Sequence, residues 1–398
     1  MLGNLVFLGM QKTRGKISMK SILLASTAIV AFAGAAAADG HTTITPTISA
    51  TLGYNDREID VGDNEVGFYW EGILEIDAVA ELDNGITAGA FFSLTVAEDD
   101  DASANDGGVD VSSDDFVVSL SAANGALFFG QTGVATDRYW LEAGDMEADD
   151  FTSGPDSNVI RGDINVGPVR ASVSYIVDDS FVDGGGEDDP IEQFGFGAEY
   201  DAGFALFTAG YQAEALDDEL LDGGDFTPSE IYGLSAQGTF SSVTATLAYA
   251  EDTTNEIQSI GFEVAVPFGP VTTTAYYVEE ITSGDADDAG FSDDPNFGVN
   301  VAYSEGPLGV TVDYANEQDL DVWAIDVSYD LGNGLTLFAG VENGNEEDED
   351  YHVAAKYDLG GGADITFSYA EDDDGDQEEE IGADDYQEGA TIELVIAF

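Results

Sequence analysis

The stretch that most constrains this chain is its last ten residues, Gly389 to Phe398 (GATIELVIAF). Ala390, Ile392, Leu394, Ile396 and Phe398 share one parity, and Thr391, Glu393, Val395 and Ala397 the other. Side chains alternate faces along a strand, so this segment reads as a strand with one apolar and one mostly polar face. A water-soluble sheet would have to cover both that apolar face and its free edge. Closure into a barrel inside a membrane removes the edge and turns the apolar face to lipid.

The same alternation recurs along the chain. Ile44, Ile48, Ala50, Leu52 and Tyr54 oppose Thr43, Thr45, Thr47, Ser49 and Thr51; Trp70, Leu74, Ile76 and Ala78 oppose Glu71, Glu75 and Asp77. The turn Asp83-Asn84-Gly85 between two alternating runs is a strong hairpin signal. Short connections are expected near Asn84, Asn124, Gly167, Ala202, Ser241, Gly269, Gly306, Gly332 and Gly361. Longer, mostly acidic ones are expected at 98–115, 178–190, 279–295, 342–350 and 371–388. Nine short turns and two terminal strands predict a transmembrane antiparallel β-barrel of 20 strands, with 18 or 16 if weak hairpins merge; the even number agrees with bacterial barrels. Tyr175, Tyr211, Tyr249, Tyr277, Tyr314 and Tyr369 share the outward parity before long loops, and Tyr200, Phe240, Phe268, Tyr303, Tyr329 and Tyr357 share it at short turns. Two such belts match rings lying at the two headgroup levels of a bilayer.

Charge narrows the partners. The net charge is −72 over 398 residues, which argues against nucleic acid, whose binding needs a basic surface. Cysteine is absent, so there is no disulfide framework, catalytic thiol or thiolate metal site. The two histidines, His41 and His352, have no recognisable catalytic or zinc-binding pattern around them, so no enzymatic activity and no cofactor are expected. Acidic loops could hold Ca2+ through carboxylate oxygens. The weak candidates are Asp372, Asp374 and Asp376, which lack the Gly and distal Glu of an EF-hand, so a solvated charge run is the default.

At the N-terminus, Met19 and Lys20 precede an apolar run from Ile22 to Phe32 and then Ala35 to Ala38. This is the layout of an export signal cleaved after Ala38, with residues 1–18 an upstream extension and Met19 the true start. Residues 39–398 then form a single barrel domain.

The terminal aromatic on an alternating strand resembles the C-terminal signature of bacterial outer-membrane barrels. Together with the opening strand Thr43 to Tyr54, the hairpin Val117 to Gln131 (VVSLSAANGALFFGQ) and the unit Tyr357 to Asp373, it makes the chain similar to the general diffusion porins of Gram-negative bacteria, closest to the Rhodobacter-like porins of alphaproteobacteria. The resemblance implies passive diffusion of small hydrophilic solutes and ions across the outer membrane, a homotrimer in contact with lipid and lipopolysaccharide, and a third loop, about 132–158, folded into the lumen. That family usually has sixteen strands, fewer than the hairpin count here.

A channel's chemistry is a constriction with charges along the path. Arg161 and Arg170 have inward parity, as does Lys356, and Arg57 continues that of the first strand. Arg138 lies in the third loop with Asp137, Glu142, Asp145, Glu147, Asp149 and Asp150. One reading sets Arg57, Arg161 and Arg170 on the wall opposite this acidic loop, giving a transverse field. The other pairs each arginine with a lumen carboxylate such as Glu75, Glu199 or Glu263. Surplus acid predicts a preference for cations. Competing functions are a solute-selective channel, which would need an aromatic track that Tyr69, Phe91 and Tyr276 do not form, and a secreted acidic calcium-dependent adhesin, which would show a fixed repeat. N-terminal mass spectrometry of protein from the outer-membrane fraction should find Asp39 first; a retained Met1 would refute the export signal.

Overall fold

The computed structural model describes residues 42–56, 67–82, 85–98, 109–154, 157–177, 191–215, 226–282, 292–318, 320–343, 349–371 and 386–398. The export signal, the Asp83-Asn84 turn, Arg57 and the Asp372, Asp374 and Asp376 run lie outside them.

Each strand is bounded by a turn that the alternation cannot continue through. The first half comprises β1 (Thr42–Asn55), β2 (Gly67–Glu81), β3 (Thr87–Glu98), β4 (Val109–Ala122), β5 (Gly125–Gly130), β6 (Asn158–Val166), β7 (Val169–Val177), β8 (Ile191–Asp201), β9 (Leu206–Gln212) and β10 (Ile231–Phe240). The second comprises β11 (Val243–Asp252), β12 (Ile257–Phe268), β13 (Val271–Thr282), β14 (Asn296–Glu305), β15 (Leu308–Glu317), β16 (Leu320–Gly332), β17 (Leu335–Asn343), β18 (Glu349–Asp358), β19 (Ala363–Glu371) and β20 (Gly389–Ala397). Every strand pairs antiparallel with its sequence neighbours, and β1 pairs with β20, so a 20-stranded sheet closes into a barrel. Along the seam Ser49 faces Ala397 and Asn55 faces Thr391. Phe398 completes it by donating its N–H to the carbonyl of Ile48 at 2.8 Å.

The eight short turns that lie within the described residues fall at the expected places. Three of them use Gly-Pro: Gly167, Gly269 and Gly306 have φ of 60°, 62° and 62°. A two-residue hairpin needs positive φ there to match the strand twist, and glycine takes it without steric cost. At the opposite end the alternation of lengths is looser than expected. Asp252 to Ile257 is a tight connection, closed by Asp252 Oδ1 accepting from the N–H groups of Thr254 and Asn255 at 2.9 Å each. Glu317 to Leu320 is shorter still. The acidic run before Asp115 is partly strand: β4 starts at Val109, past an irregularity in its register with β3 between Phe92 and Leu94.

The outer face carries the large apolar side chains, among them Leu234, Leu247, Phe262, Val353 and Phe367, all exposed. Aromatic pairs ring one end of it: Tyr175 with Phe194 (5.2 Å between centroids), Tyr232 with Tyr249 (6.3 Å), Phe297 with Tyr314 (6.5 Å) and Tyr351 with Tyr369 (6.2 Å). Several of these hydroxyls donate to a carboxylate beyond the ring, as Tyr277 does to Glu279 and Tyr314 to Asp321, both at 2.8 Å. The other end carries Tyr200, Phe204, Phe240, Phe268, Tyr329, Tyr357 and Phe398. A soluble protein does not leave so large an apolar band uncovered, whereas a closed barrel can turn such a band to lipid; among the described residues no helix is long and apolar enough to cross a membrane.

The two faces should answer oppositely to a new charge. Leu247→Arg on the lipid face is expected to cost about 2–4 kcal/mol. Thr366→Arg, on the inner face beside Glu393, should stay within about 0.5 kcal/mol. Reversible unfolding in lipid vesicles, followed by tryptophan fluorescence, measures both.

Candidate functional site

Between β5 and β6 the chain leaves the wall and enters the lumen. Gly130 opens this passage at φ 124°, where a Cβ would lie 1.8 Å from the carbonyl oxygen of Phe116. The loop then forms a short helix, α1 (Ala135–Tyr139), and a 3-10 turn (Glu147–Asp149). α1 lies against β7, β8 and β9, and the turn against β10, β11 and β12.

A loop at this depth must have its backbone polar groups satisfied. Inward side chains of the wall do this. Ser174 Oγ accepts from Ala135 N–H at 2.9 Å, Ser259 Oγ from Ala148 N–H at 2.9 Å, Gln212 Oε1 from Thr152 N–H at 2.8 Å and Glu280 Oε1 from Glu147 N–H at 3.2 Å. Each such bond contributes about 1 kcal/mol. Apolar packing adds to them: Ala143, Met146 and Ala148 sit among Ala248, Ala250, Ile257 and Val278, with Trp140 and Tyr276 at the edge. Trp140 donates its indole N–H to Asp149 at 2.8 Å.

Small wall residues make the close approach possible. Gly197, Gly210, Gly233 and Ala250 face one another across β8 to β11, and Gly261 faces Ala248 on β12. A Cβ at Gly197 would lie 2.0 Å from the Ala135 carbonyl oxygen, at Gly233 2.4 Å from the Trp140 ring and at Gly261 2.2 Å from the Ala143 carbonyl oxygen. This trough, with the polar anchors beneath the loop, was not singled out from sequence; its signal is the run of small and amide residues at inward positions of β7–β14, where β2 has Glu71, Glu75 and Asp77.

Arg161 and Arg170 do not face the loop across the lumen. Arg161 is 6% exposed and lies beneath it. Its guanidinium donates to the Gly133 carbonyl, sits 3.2 Å from Asp163 Oδ1 and stacks 4.6 Å over the Phe128 ring. Arg138, on α1, reaches the other Asp163 oxygen at 3.1 Å, and Ser172 donates to Asp163 at 2.6 Å. Asp163 is thus the clasp between α1 and the wall. Arg170 stands near the Gly167 turn and is ion-paired to Glu199. The inward parities of Arg161 and Arg170 hold, but a transverse field from these two is not what their positions give: one is covered by the loop and the other is at the end of its strand. Lys356 is exposed on the inner face and has no ion-pair partner among the described residues.

The loop carboxylates divide by position. Asp137 and Glu142 are exposed to the lumen. Asp145 and Glu147 are half-buried against β14, where Asn296 Nδ2 lies 3.3 Å from Asp145 Oδ2 and 3.4 Å from Glu147 Oε1. Burial pushes Asp145 up to about 7, reinforced by the charges of Glu317, Glu147 and Glu142. Burial also raises Asp149, well above the usual carboxylate range, against the lowering effect of the Trp140 hydrogen bond. Asp137 is raised by partial desolvation, with the charges of Arg161 and Arg138 opposing. Forcing a side chain into the trough by Gly233→Val should cost about 1–3 kcal/mol of packing and displace the loop, seen as a larger single-channel conductance; an unchanged conductance would mean the loop does not narrow the pore.

A scan against family models matches this chain over residues 25–377, to the family described as Gram-negative porin. Among solved structures, a mutant of Rh. blastica porin is 15% identical with a TM-score of 0.42, over 90% of this chain and 100% of that one. OccAB3 of Acinetobacter baumannii is 12% identical with a TM-score of 0.47, over 90% of this chain and 99% of that one. No curated protein sequence matches. The family model covers most of the chain, and the closed antiparallel barrel is the architecture such a family requires: the chain belongs to the Gram-negative porins and is an outer-membrane channel for passive diffusion.

Proposed function

We propose that this channel passes small hydrophilic solutes with a preference for cations, through the opening between the acidic inner loop and the strands it leaves uncovered, β15–β20 and β1–β4. The observation that carries this is the use made of the arginines. Arg138 and Arg161 are bound to Asp163, and Arg170 to Glu199. Asp163 together with the neighbouring Asp137 offsets Arg138 and Arg161, and Glu199 offsets Arg170, while Glu75, Asp77, Asp313, Asp364 and Glu393 point inward from the open wall. Rings of Asp and Glu favour cation entry. The reading holds residues 39–398 as one barrel delivered by a cleaved export signal, assembled as a homotrimer among lipid and lipopolysaccharide. It includes neither catalysis nor a cofactor; a Ca2+ ion held by Asp372, Asp374 and Asp376 is not part of it.

The selectivity should titrate. Asp145 is neutral below about 7 and charged above it. Cation preference is therefore expected to weaken as pH falls through 7, with the reversal potential in a KCl gradient moving toward zero between pH 8 and pH 5. The loop's packing runs the other way. Asp in an unfolded chain titrates near ~3.9, so the raised group takes up a proton on folding. Its stabilising contribution is complete below that value and is lost as pH rises through about 7. Asp145→Asn should hold the selectivity at its acidic value across the range. A pH-independent reversal potential in the unaltered channel would remove Asp145 from the path.

A further inference from the structure

The inner wall of β13 to β17 contains a cavity of about 330 Å3 beside the tip of the inner loop. Its polar lining comes from Asn300, Asp313, Glu317 and Glu342, and its apolar lining includes Tyr276 and Val322. Strand alternation places all of these on the lumen side, in phase with the loop-covered Val278 of β13.

Tyr276 ties this cavity to the constriction. Its ring fills the space left by two glycines, Gly144 at the loop tip and Gly298 on β14: a Cβ at either would stand 2.4 or 2.5 Å from a ring carbon. The loop tip is thereby held at the cavity's rim, and Asn296, which contacts Asp145 and Glu147, also accepts the Gln318 N–H at 2.9 Å. Three wall carboxylates, Asp313, Glu317 and Glu342, thus line the hollow, and Asp145 and Glu147 of the loop stand close enough to Glu317 to interact with its charge. The strands that build it bring no counter-charge: from Ala171 to Ala355 the chain has no Lys or Arg.

A hydrated alkali ion needs neither an aromatic wall nor a hollow of this size. A cation with a hydrocarbon body uses both. Its ammonium group can meet the carboxylates and the face of Tyr276, while its alkyl part lies on Ala315, Val322 and Ala324. We infer that this cavity is a subsite for organic ammonium ions, solutes carrying one or two amino groups on a short alkyl chain, which it concentrates beside the constriction. This rests on the reading of the pore as cation-preferring.

The test is block of single-channel potassium current in planar bilayers by butylamine and by 1,4-diaminobutane, with glucose as the uncharged control. Both amines should block, the diamine at lower concentration, and glucose should not. Glu317→Gln combined with Glu342→Gln should raise the half-blocking concentration about five- to tenfold, as expected for losing two partly exposed charge pairs. Ala315→Leu fills the hollow and keeps every carboxylate, and should raise it comparably. Glu75→Gln removes an inward carboxylate on the far wall and should shift it less than about twofold. An equal shift in Glu75→Gln, or no block in a channel that still prefers cations, would overturn the subsite and leave the selectivity reading standing. Block relieved by calcium chloride at matched ionic strength and indifferent to Ala315→Leu would also overturn it, making the hollow a metal site. Absence of any cation preference would overturn both readings. Heat-dependent gel mobility confirms folded barrels, and Ala315→Leu serves if the double variant does not fold.

Discussion

In hydrocarbon a peptide group has no water to bond, and everything in this barrel follows from that. Each N–H and C=O of a spanning segment must find a partner in the protein. A sheet meets this demand only when it has no edge, which makes the pairing of β1 with β20 the condition for all other pairings. Once the sheet is closed, every strand stands between two solvents, and the period-2 alternation is the record of that. Leu247 and Phe262 meet lipid while Thr246 and Glu263, their chain neighbours, meet the lumen.

The same demand shapes the pore. A non-helical loop at membrane depth is tolerated only where protein and water satisfy it. Here the wall supplies hydroxyl, amide and carboxylate groups at fixed inward positions, and glycines remove the side chains that would stand in the way. This divides the inner wall into two regions. One, on β7 to β14, holds the loop and is small and amide-rich. The other lines the open path and keeps its charges in water.

The fold was legible in the sequence to the level of strand count, because the turns are marked by residues with few alternatives. Gly-Pro at residues 167, 269 and 306 and Gly-rich runs at residues 332 and 361 can hardly be strand interior. Two loop-end connections were harder to place, since Thr253 and Thr254 carry no breaker signal and Asp252 closes the turn with its own side chain. For the site, parity correctly gave the inward direction of Arg161 and Arg170, but parity says nothing about what lies above an inward side chain. Covering Arg161 is a property of the loop's path, and that path is set by hydrogen bonds between residues far apart in the chain, such as Ala135 with Ser174 and Ala148 with Ser259. Asp163 was missed for the same reason: its two arginine partners come from different elements.

The seam has a kinetic meaning as well. Its partners are Ser49 to Asn55 and Thr391 to Ala397, so the contact that closes the barrel joins its first and last strands. Contacts of such sequence separation form late, because the whole intervening loop must be ordered first. The chain can have no edge-free intermediate before β20 is in place. Until then it carries amphipathic strands that would pair with any neighbour. The surplus of acidic over basic residues, 81 against 9, then acts on the unfolded chain, where mutual repulsion keeps waiting strands apart. The acidic charge carried by the finished barrel thus also serves the chain on its way to becoming one.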